Sequence, residues 1–517
     1  MHWSRYARDI QRRHICDAAT LSYFFSQCGN ATRAQIVAMR KGLRARTAAS
    51  GTTPTSFANA VSGVGQRWLQ RTATIVAVNL IWLAAIGAST ARAQVVLPLT
   101  PEMEAPWNAQ RVFETVPFAQ RWAMSGADDM LPEDTPVKTR IHSGYEPVGV
   151  RAGKWMFVPM TSVGGFYTSN AFASPTNPQS DIALQVKPSL RAYTLGEGSS
   201  LALQADLQSD TYRRNPGLDQ VDASFRGRGR IELWHDAAIL TNFRVARLHD
   251  AVGSLSSPAG AVEPTPYNYI TGDATYWQQF NRLAVSAGAR IDSYKYGSTR
   301  AADGSIINQD SRSGEIYSGH GRVEYTIAPG LGVFGAAEGN RRELKGTPVQ
   351  PLSSDGYRAL GGLNIEFSRL IWGEIGVGYM DQQFDSPAIA RIAGPAYRAM
   401  LVWKPTRSVD VKFRAESTVT QAVDTDATGI RADAVQIGMD YEFRRNVIFS
   451  LAATYERDRF VGQFREDKVY ATLAEVKYLL NRHWSISARH QYINRNSNIP
   501  TFIYDKHEIG INVAAQF

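Results

Sequence analysis

From about Lys154 to the end of the chain, apolar and polar residues alternate with period two, broken at intervals by Gly, Pro, Asn and Asp. This is the pattern of strands with one oily and one wet face. It is cleanest in Tyr504–Phe517, where Ile509, Ile511, Val513, Ala515 and Phe517 share one face and Glu508, Gly510, Asn512, Ala514 and Gln516 the other. Five more columns precede it: Val409 to Val419, Val435 to Phe443, Val447 to Tyr455, Tyr470 to Tyr478 and Trp484 to Tyr492. Together the apolar columns hold 31 positions without one Asp, Glu, Lys or Arg, whereas the 26 interleaved positions hold 10 charges. At 20% charged residues overall, about six of the 31 would carry charge by chance. A lipid-facing Lys or Arg at mid-bilayer costs roughly 2–4 kcal/mol, which empties one face in this way. Upstream, Val221, Phe225, Ile231 and Leu233 oppose Asp222, Arg226, Arg228, Arg230 and Glu232. Similar columns surround Arg290 and Arg358. Strands near 154–169, 181–195 and 267–280 are weaker, and Pro159 and Pro188 lie inside two of them, each removing a ladder donor.

Connections alternate in length. Short turns near Gly196–Gly198, His235–Asp236, Asn281, Pro329–Gly330, Ser368–Arg369, Pro405–Arg407, Arg445–Asn446 and Asn481–Arg482 interleave with longer polar loops. The count predicts a transmembrane antiparallel up-and-down β-barrel of about 18 strands, or 16 if one weak pair fails, with both ends on the short-turn side. A final strand ending on Phe resembles the C-terminal signal by which bacterial outer-membrane barrels are recognised and inserted. A soluble antiparallel protein also alternates, but it does not explain alternating loop lengths together with an export signal.

That signal is visible upstream. Arg67 and Arg71 flank the apolar run Thr74–Ala88, and Ala91-Arg92-Ala93 forms a cleavage site before Gln94. The run is short for a spanning helix and Asn79 interrupts it. The long stretch before it predicts either an extended signal region or a true start downstream, at Met39 or nearer Arg67. The formal charge of +9 is concentrated here: residues 1–93 hold 12 Lys/Arg and 2 Asp/Glu, leaving 44 basic and 45 acidic residues in the remainder. A near-neutral mature chain gives no reason to expect a nucleic-acid partner. Both cysteines, Cys16 and Cys28, also lie in this segment, so no disulfide or thiolate site is expected beyond it. Residues 94–150 are Pro-rich and acidic without periodicity, which predicts a periplasmic arm or linker; a plug inside the barrel is the alternative. The domains are therefore 1–93, 94–150 and a barrel over 151–517.

Residues 150–517 resemble the β-barrel porin type 2 family through Gly164–Phe172, the Gly-rich hairpin Arg358–Phe384, Trp403–Val411 and the closing strand. The resemblance implies an outer-membrane barrel, of a kind that often accompanies exopolysaccharide or capsule export. The expected partners are outer-membrane lipid, the barrel-assembly machinery and, from the resemblance alone, polysaccharide export proteins; the oligomeric state is open.

The candidate lumen wall comprises Arg226, Arg228, Arg230, Arg244, Arg290, Arg322, Arg358, Arg398 and Arg414, with Asp222, Glu232, Asp292, Glu324, Glu366, Glu374, Asp410 and Glu416. Mixed signs predict mutual pairing. Arg226-x-Arg228-x-Arg230 is the exception, because alternation puts all three on one face as a ladder for acidic sugars or other anions. A barrel this wide holds an aqueous channel, and charges on its wall set selectivity. The histidines are scattered over both faces, with no G-x-S-x-G, no H-E-x-x-H, no spaced metal ligands and no phosphate-binding Gly loop. No catalytic residue, metal or cofactor is expected. The expected function is passive passage of solute or exopolysaccharide. The alternatives are a closed structural or receptor barrel acting through its loops and, less favoured, a barrel hydrolase.

Overall fold

The computed structural model describes residues 137–517, apart from 139, 141, 143, 196–198, 235, 255, 347–351, 368–369 and 421–428. The export signal, the upstream extension and most of the 94–150 arm lie outside the described residues. Each alternating segment forms a strand of 12 to 16 residues, long enough to cross a bilayer at a tilt. In chain order these are β1 Trp155–Thr168, β2 Asp181–Thr194, β3 Ser200–Tyr212, β4 Gln220–Trp234, β5 Ala237–Asp250, β6 Thr265–Phe280, β7 Leu283–Tyr296, β8 Gly314–Ala328 and β9 Leu331–Leu344. They continue with β10 Ser354–Phe367, β11 Ile371–Phe384, β12 Ile392–Thr406, β13 Val409–Thr420, β14 Gly429–Arg444, β15 Val447–Val461, β16 Glu466–Leu479, β17 Trp484–Ser497 and β18 Tyr504–Gln516.

Every strand pairs antiparallel with its sequence neighbours, and β18 pairs with β1 from Met160↔Gln516 to Thr168↔Glu508. The sheet therefore closes as an 18-stranded barrel. Closure removes both open edges. The two prolines fall where a ladder lapses. Pro159 lies just beyond the β1–β18 ladder, and its carbonyl accepts the Phe517 N–H at 3.1 Å. Pro188 sits where the β2–β3 ladder skips from Val186↔Ser209 to Ser189↔Asp206. Short turns use the left-handed backbone at Asp236, Asn281 and Gly330. At Gly330 any side chain would collide with the Glu366 carbonyl, so the Pro329-Gly330 turn needs glycine.

The apolar columns face outward. Val377 (64%) and Ile511 (60%) are among the most exposed, as residues meeting lipid should be. Aromatic side chains edge this band at both ends: Phe280, Trp403, Phe443 and Trp484 near the short turns, and Tyr167, Tyr357, Tyr379 and Tyr470 near the long loops. These are the interfacial girdles of a membrane barrel.

One column departs from expectation. Ser417 and Val419, predicted outward, are not at the lipid surface. The β12–β13 ladder ends at Arg398↔Glu416, while the β13–β14 ladder runs on to Thr420↔Ile430. Freed from β12, the end of β13 turns inward. Ser417 is fully buried and its hydroxyl accepts the Tyr397 N–H at 2.9 Å. Val419 packs on Phe384, Ile389 and Ile392, and its carbonyl accepts from Arg342 of β9 at 3.0 Å.

Candidate functional site: the lumen and its two mouths

Alternation and register together place the arginines. Arg226, Arg228 and Arg230 of β4 point inward while Phe225, Ile231 and Leu233 are exposed outward. The cross-strand register lines up Arg191 of β2, Gln204 of β3, Arg226 of β4 and Arg244 of β5 in one row. Arg226 and Arg244 are direct cross-strand partners, an arrangement of like charges that destabilises a sheet by itself. Asp206 lies 3.6 Å from Arg226, and Glu232 lies 3.2 Å from Arg230. Arg228 stands opposite Asn242, which stands opposite Asp273, the 3.7 Å partner of Arg290. Arg191 and Asp206 are not marked in the sequence, because Pro188 disrupts the pattern of β2 and because β3 has few charges.

A second group lines β8 to β13. Arg358 bridges Glu338 at 3.1 Å and Glu416 at 2.8 Å, and Arg398 reaches the same Glu416 oxygen at 3.0 Å. Arg322 contacts Glu374 at 3.1 Å, Glu324 at 3.3 Å and Asn364 at 3.0 Å, with its guanidinium 3.8 Å above the Phe334 ring. This wall is a mutually neutralised lattice. Glu416 is its hinge: Glu416→Gln leaves two guanidiniums short of a buried anion. It should lower barrel stability by about 3 kcal/mol, measured by urea unfolding in lipid, the low end for breaking a buried pair because Arg358 keeps Glu338. Arg414 stands inward between Met400 and Gln436 in register.

The remaining candidates lie at the ends rather than mid-height. Asp222 accepts from His249 at 2.8 Å near the long loops, where Asp292 also holds the Tyr269 hydroxyl at 2.8 Å. Glu366 stands opposite Trp372 beside the Pro329-Gly330 turn. Asp410 is at the foot of β13.

The short-turn mouth is entered by the chain itself. Residues 150–152 pair with the foot of β1, and the segment before them crosses to the feet of β13 and β14. There the Val137 N–H donates to Asp410, Lys138 lies 3.4 Å from Asp440, and Arg140 lies 3.2 Å from Glu442. Val137 and His142 are buried, and Gln516 donates to the Tyr145 carbonyl at 3.1 Å. These contacts span more than 250 residues of sequence, and residues 94–150 show no periodicity that would announce them.

The long-loop mouth is also narrowed. The loop after β5 is pinned from two sides. Arg312 donates to the Ser256 carbonyl and to Asp250, each at 3.1 Å, with its guanidinium 3.8 Å over Tyr296. From β17, Arg495 donates to the Gly253 carbonyl at 3.0 Å while holding Asp467 at 2.7 Å. Gly253 has φ +76 and its missing side chain is the space taken by Ala173. At the rim, Lys345 lies 2.8 Å from Asp310 and holds that carboxyl below the usual range. Among the described residues no group of three or more His, Cys, Asp or Glu stands together as a metal site.

A closed barrel with a lipid-exposed apolar belt, aromatic girdles and a charged interior defines a transmembrane β-barrel of the outer-membrane type. The family model described as "Putative beta-barrel porin 2" matches residues 143–517. The chain belongs to that family. Among solved structures it is similar to OpdL of Pseudomonas aeruginosa, with 13% identity over 71% of this chain and 99% of that one and a TM-score of 0.38. OccK2 (OpdF) of the same organism shows 10% identity over 70% and 97%, with a TM-score of 0.39. A mutant of the ferric enterobactin receptor PfeA, also from Pseudomonas aeruginosa, shows 7% identity over 70% and 80%, with a TM-score of 0.37. No curated protein matches the chain.

Proposed function

We propose that this porin-family barrel is a passive outer-membrane channel that favours anionic solutes, acidic saccharides among them. The long loops face outward and the short turns and N-terminal arm face the periplasm. The observation that carries the reading is the row Arg191–Arg226–Arg244, with Arg228 and Arg230 on the next two inward steps of β4. Two carboxylates stand among these five guanidiniums, Asp206 beside Arg226 and Glu232 beside Arg230, so this part of the wall presents net positive charge to a passing anion. Carboxylates and sulfates match the planar fork of each arginine, so an acidic oligosaccharide would be handed from row to row. Exopolysaccharide passage, assisted by a periplasmic export protein, is the polymer form of the same reading. No covalent chemistry is part of it. The test is ion current through the purified barrel in a planar bilayer, with and without an acidic oligosaccharide such as a short polyuronate. Steady current reduced by the polyuronate but not by a neutral oligosaccharide of equal length supports the reading. Equal reduction by both contradicts it.

A second reading, a closed or gated barrel, is favoured by the arm in the short-turn mouth and by the pinned loop after β5. The two readings differ in resting conductance, and the arm is the element that separates them.

A further inference from the structure

The outward columns of β14, β15 and β16 change character abruptly above their last aromatic row. Register aligns Val435, Tyr455 and Tyr470 across the three strands, and the two tyrosine rings lie 5.1 Å apart. One outward step nearer the long loops, the aligned residues are Asp433, Arg457 and Lys468; the next step aligns Arg431, Arg459 and Glu466. Six positions thus hold four cations and two anions. Arg457 and Lys468 are direct cross-strand partners, a like-charge juxtaposition. The two acids are shared among them: Glu466 lies 2.7 Å from Arg457 and 3.7 Å from Lys468, and Asp433 contacts both Arg459 and Arg431. Arg457, Arg459 and Lys468 remain more than two-fifths exposed, all on the face that below them meets lipid.

The charge is not spread evenly round the rim. Over β9 to β11 the described residues reverse the balance: Glu343, Asp355, Asp381 and Asp385 stand against Arg341 and, from the following loop, Arg391. A merely solvated belt would not separate into a basic and an acidic sector.

We propose that Arg457, Arg459 and Lys468 form a docking shelf for the phosphates of an acylated, phosphorylated saccharide of the outer leaflet, a lipid of the lipid A type. The position selects the occupant. A phosphate at the height of the shelf places its acyl chains down the column of Tyr455, Ala453 and Leu451, whereas a free anion meets the cations alone. Arginine supplies paired donors to phosphate oxygens, and basic residues at a membrane surface each add about 1 kcal/mol of attraction to anionic lipid, so the shelf gathers a useful affinity from three. The inference rests on the orientation proposed above, with long loops outward.

The test uses the mature protein folded in detergent and reads thermal unfolding, which does not depend on ion conduction, so a barrel that fails as a channel can still pass it. Bisphosphorylated lipid A, dephosphorylated lipid A and inorganic phosphate are added separately. The proposal expects a rise in the unfolding midpoint with bisphosphorylated lipid A alone. The triple variant Arg457→Gln, Arg459→Gln, Lys468→Gln should weaken that response at least about tenfold in lipid concentration, while Arg341→Gln in the acidic sector leaves it intact. Should the triple variant fail to fold, Lys468→Gln alone, which keeps both Arg–acid pairs, must still weaken the response. Equal stabilisation by the dephosphorylated lipid, an undiminished response in the variants, or the same shift from inorganic phosphate overturns the proposal.

Discussion

Removing residues 137–146 from the mature barrel is expected to raise its single-channel conductance severalfold. The segment occupies the short-turn mouth through contacts with three wall acids: Val137 with Asp410, Lys138 with Asp440, and Arg140 with Glu442. The hydrogen bond from Val137 to Asp410 is worth about 1.5–3 kcal/mol, and the two ion pairs add to it, so together they hold the segment in place most of the time. A gentler variant separates occupancy from truncation. Lys138→Gln with Arg140→Gln leaves every barrel residue intact and removes only the arm's side of the pairs. It should reproduce much of the increase, and its conductance should flicker as the weakened arm enters and leaves. Asp440 is a poorer place to cut, because it also holds Lys412 at 2.8 Å and Ser450 at 2.7 Å and its loss would disturb the wall. Recordings of the three proteins in one lipid at one salt concentration decide the matter, and identical conductances would remove the arm from the conduction path.

The second large effect is expected from Arg226→Glu with Arg228→Glu. The pair turns two positive charges into two negative ones at mid-height. A unit charge about 8 Å from a permeating ion in water contributes ~0.5 kcal/mol, so a change of four charges amounts to ~2 kcal/mol and more than tenfold in the anion-to-cation permeability ratio before screening. Screening shrinks this at high salt, so the contrast is largest well below 0.1 M. Block by a polyuronate should vanish in the same variant. Both substitutions lie on strand positions facing water, and the band shift on heating reports whether the barrel still folds. A folded variant with unchanged selectivity and block would mean that the arginine row does not govern passage.

Much of the barrel was legible because lipid acts strongly on sequence: it removes charge from one face of every strand, and period-two alternation then fixes which face is which. Loop lengths added the direction of each strand. Alternation also put Arg226, Arg228, Arg230 and Arg244 on the inner face. It could not say which inward charges meet. Glu338 joins Arg358 because β9 and β10 are in direct register at those residues, whereas Glu416 reaches it from β13, three strands away. Arg191 was hidden by Pro188, which sits in a ladder gap that only the partner strand reveals. Ser417 and Val419 keep the lipid-facing alternation after the ladder to β12 has ended, so the pattern outlasts the geometry that gave it meaning. The arm and the pinned loop after β5 are held by single side chains acting across the mouths, and contacts of that kind leave no local periodicity.

The most direct test of the central claim is the zero-current potential of the wild-type barrel in a planar bilayer under a potassium chloride gradient. An anion-favouring channel lined by the Arg191–Arg226–Arg244 row gives a potential displaced toward the chloride equilibrium value, and the displacement grows as salt is lowered. A potential displaced toward the potassium value, or no steady current even after the arm is removed, would contradict it.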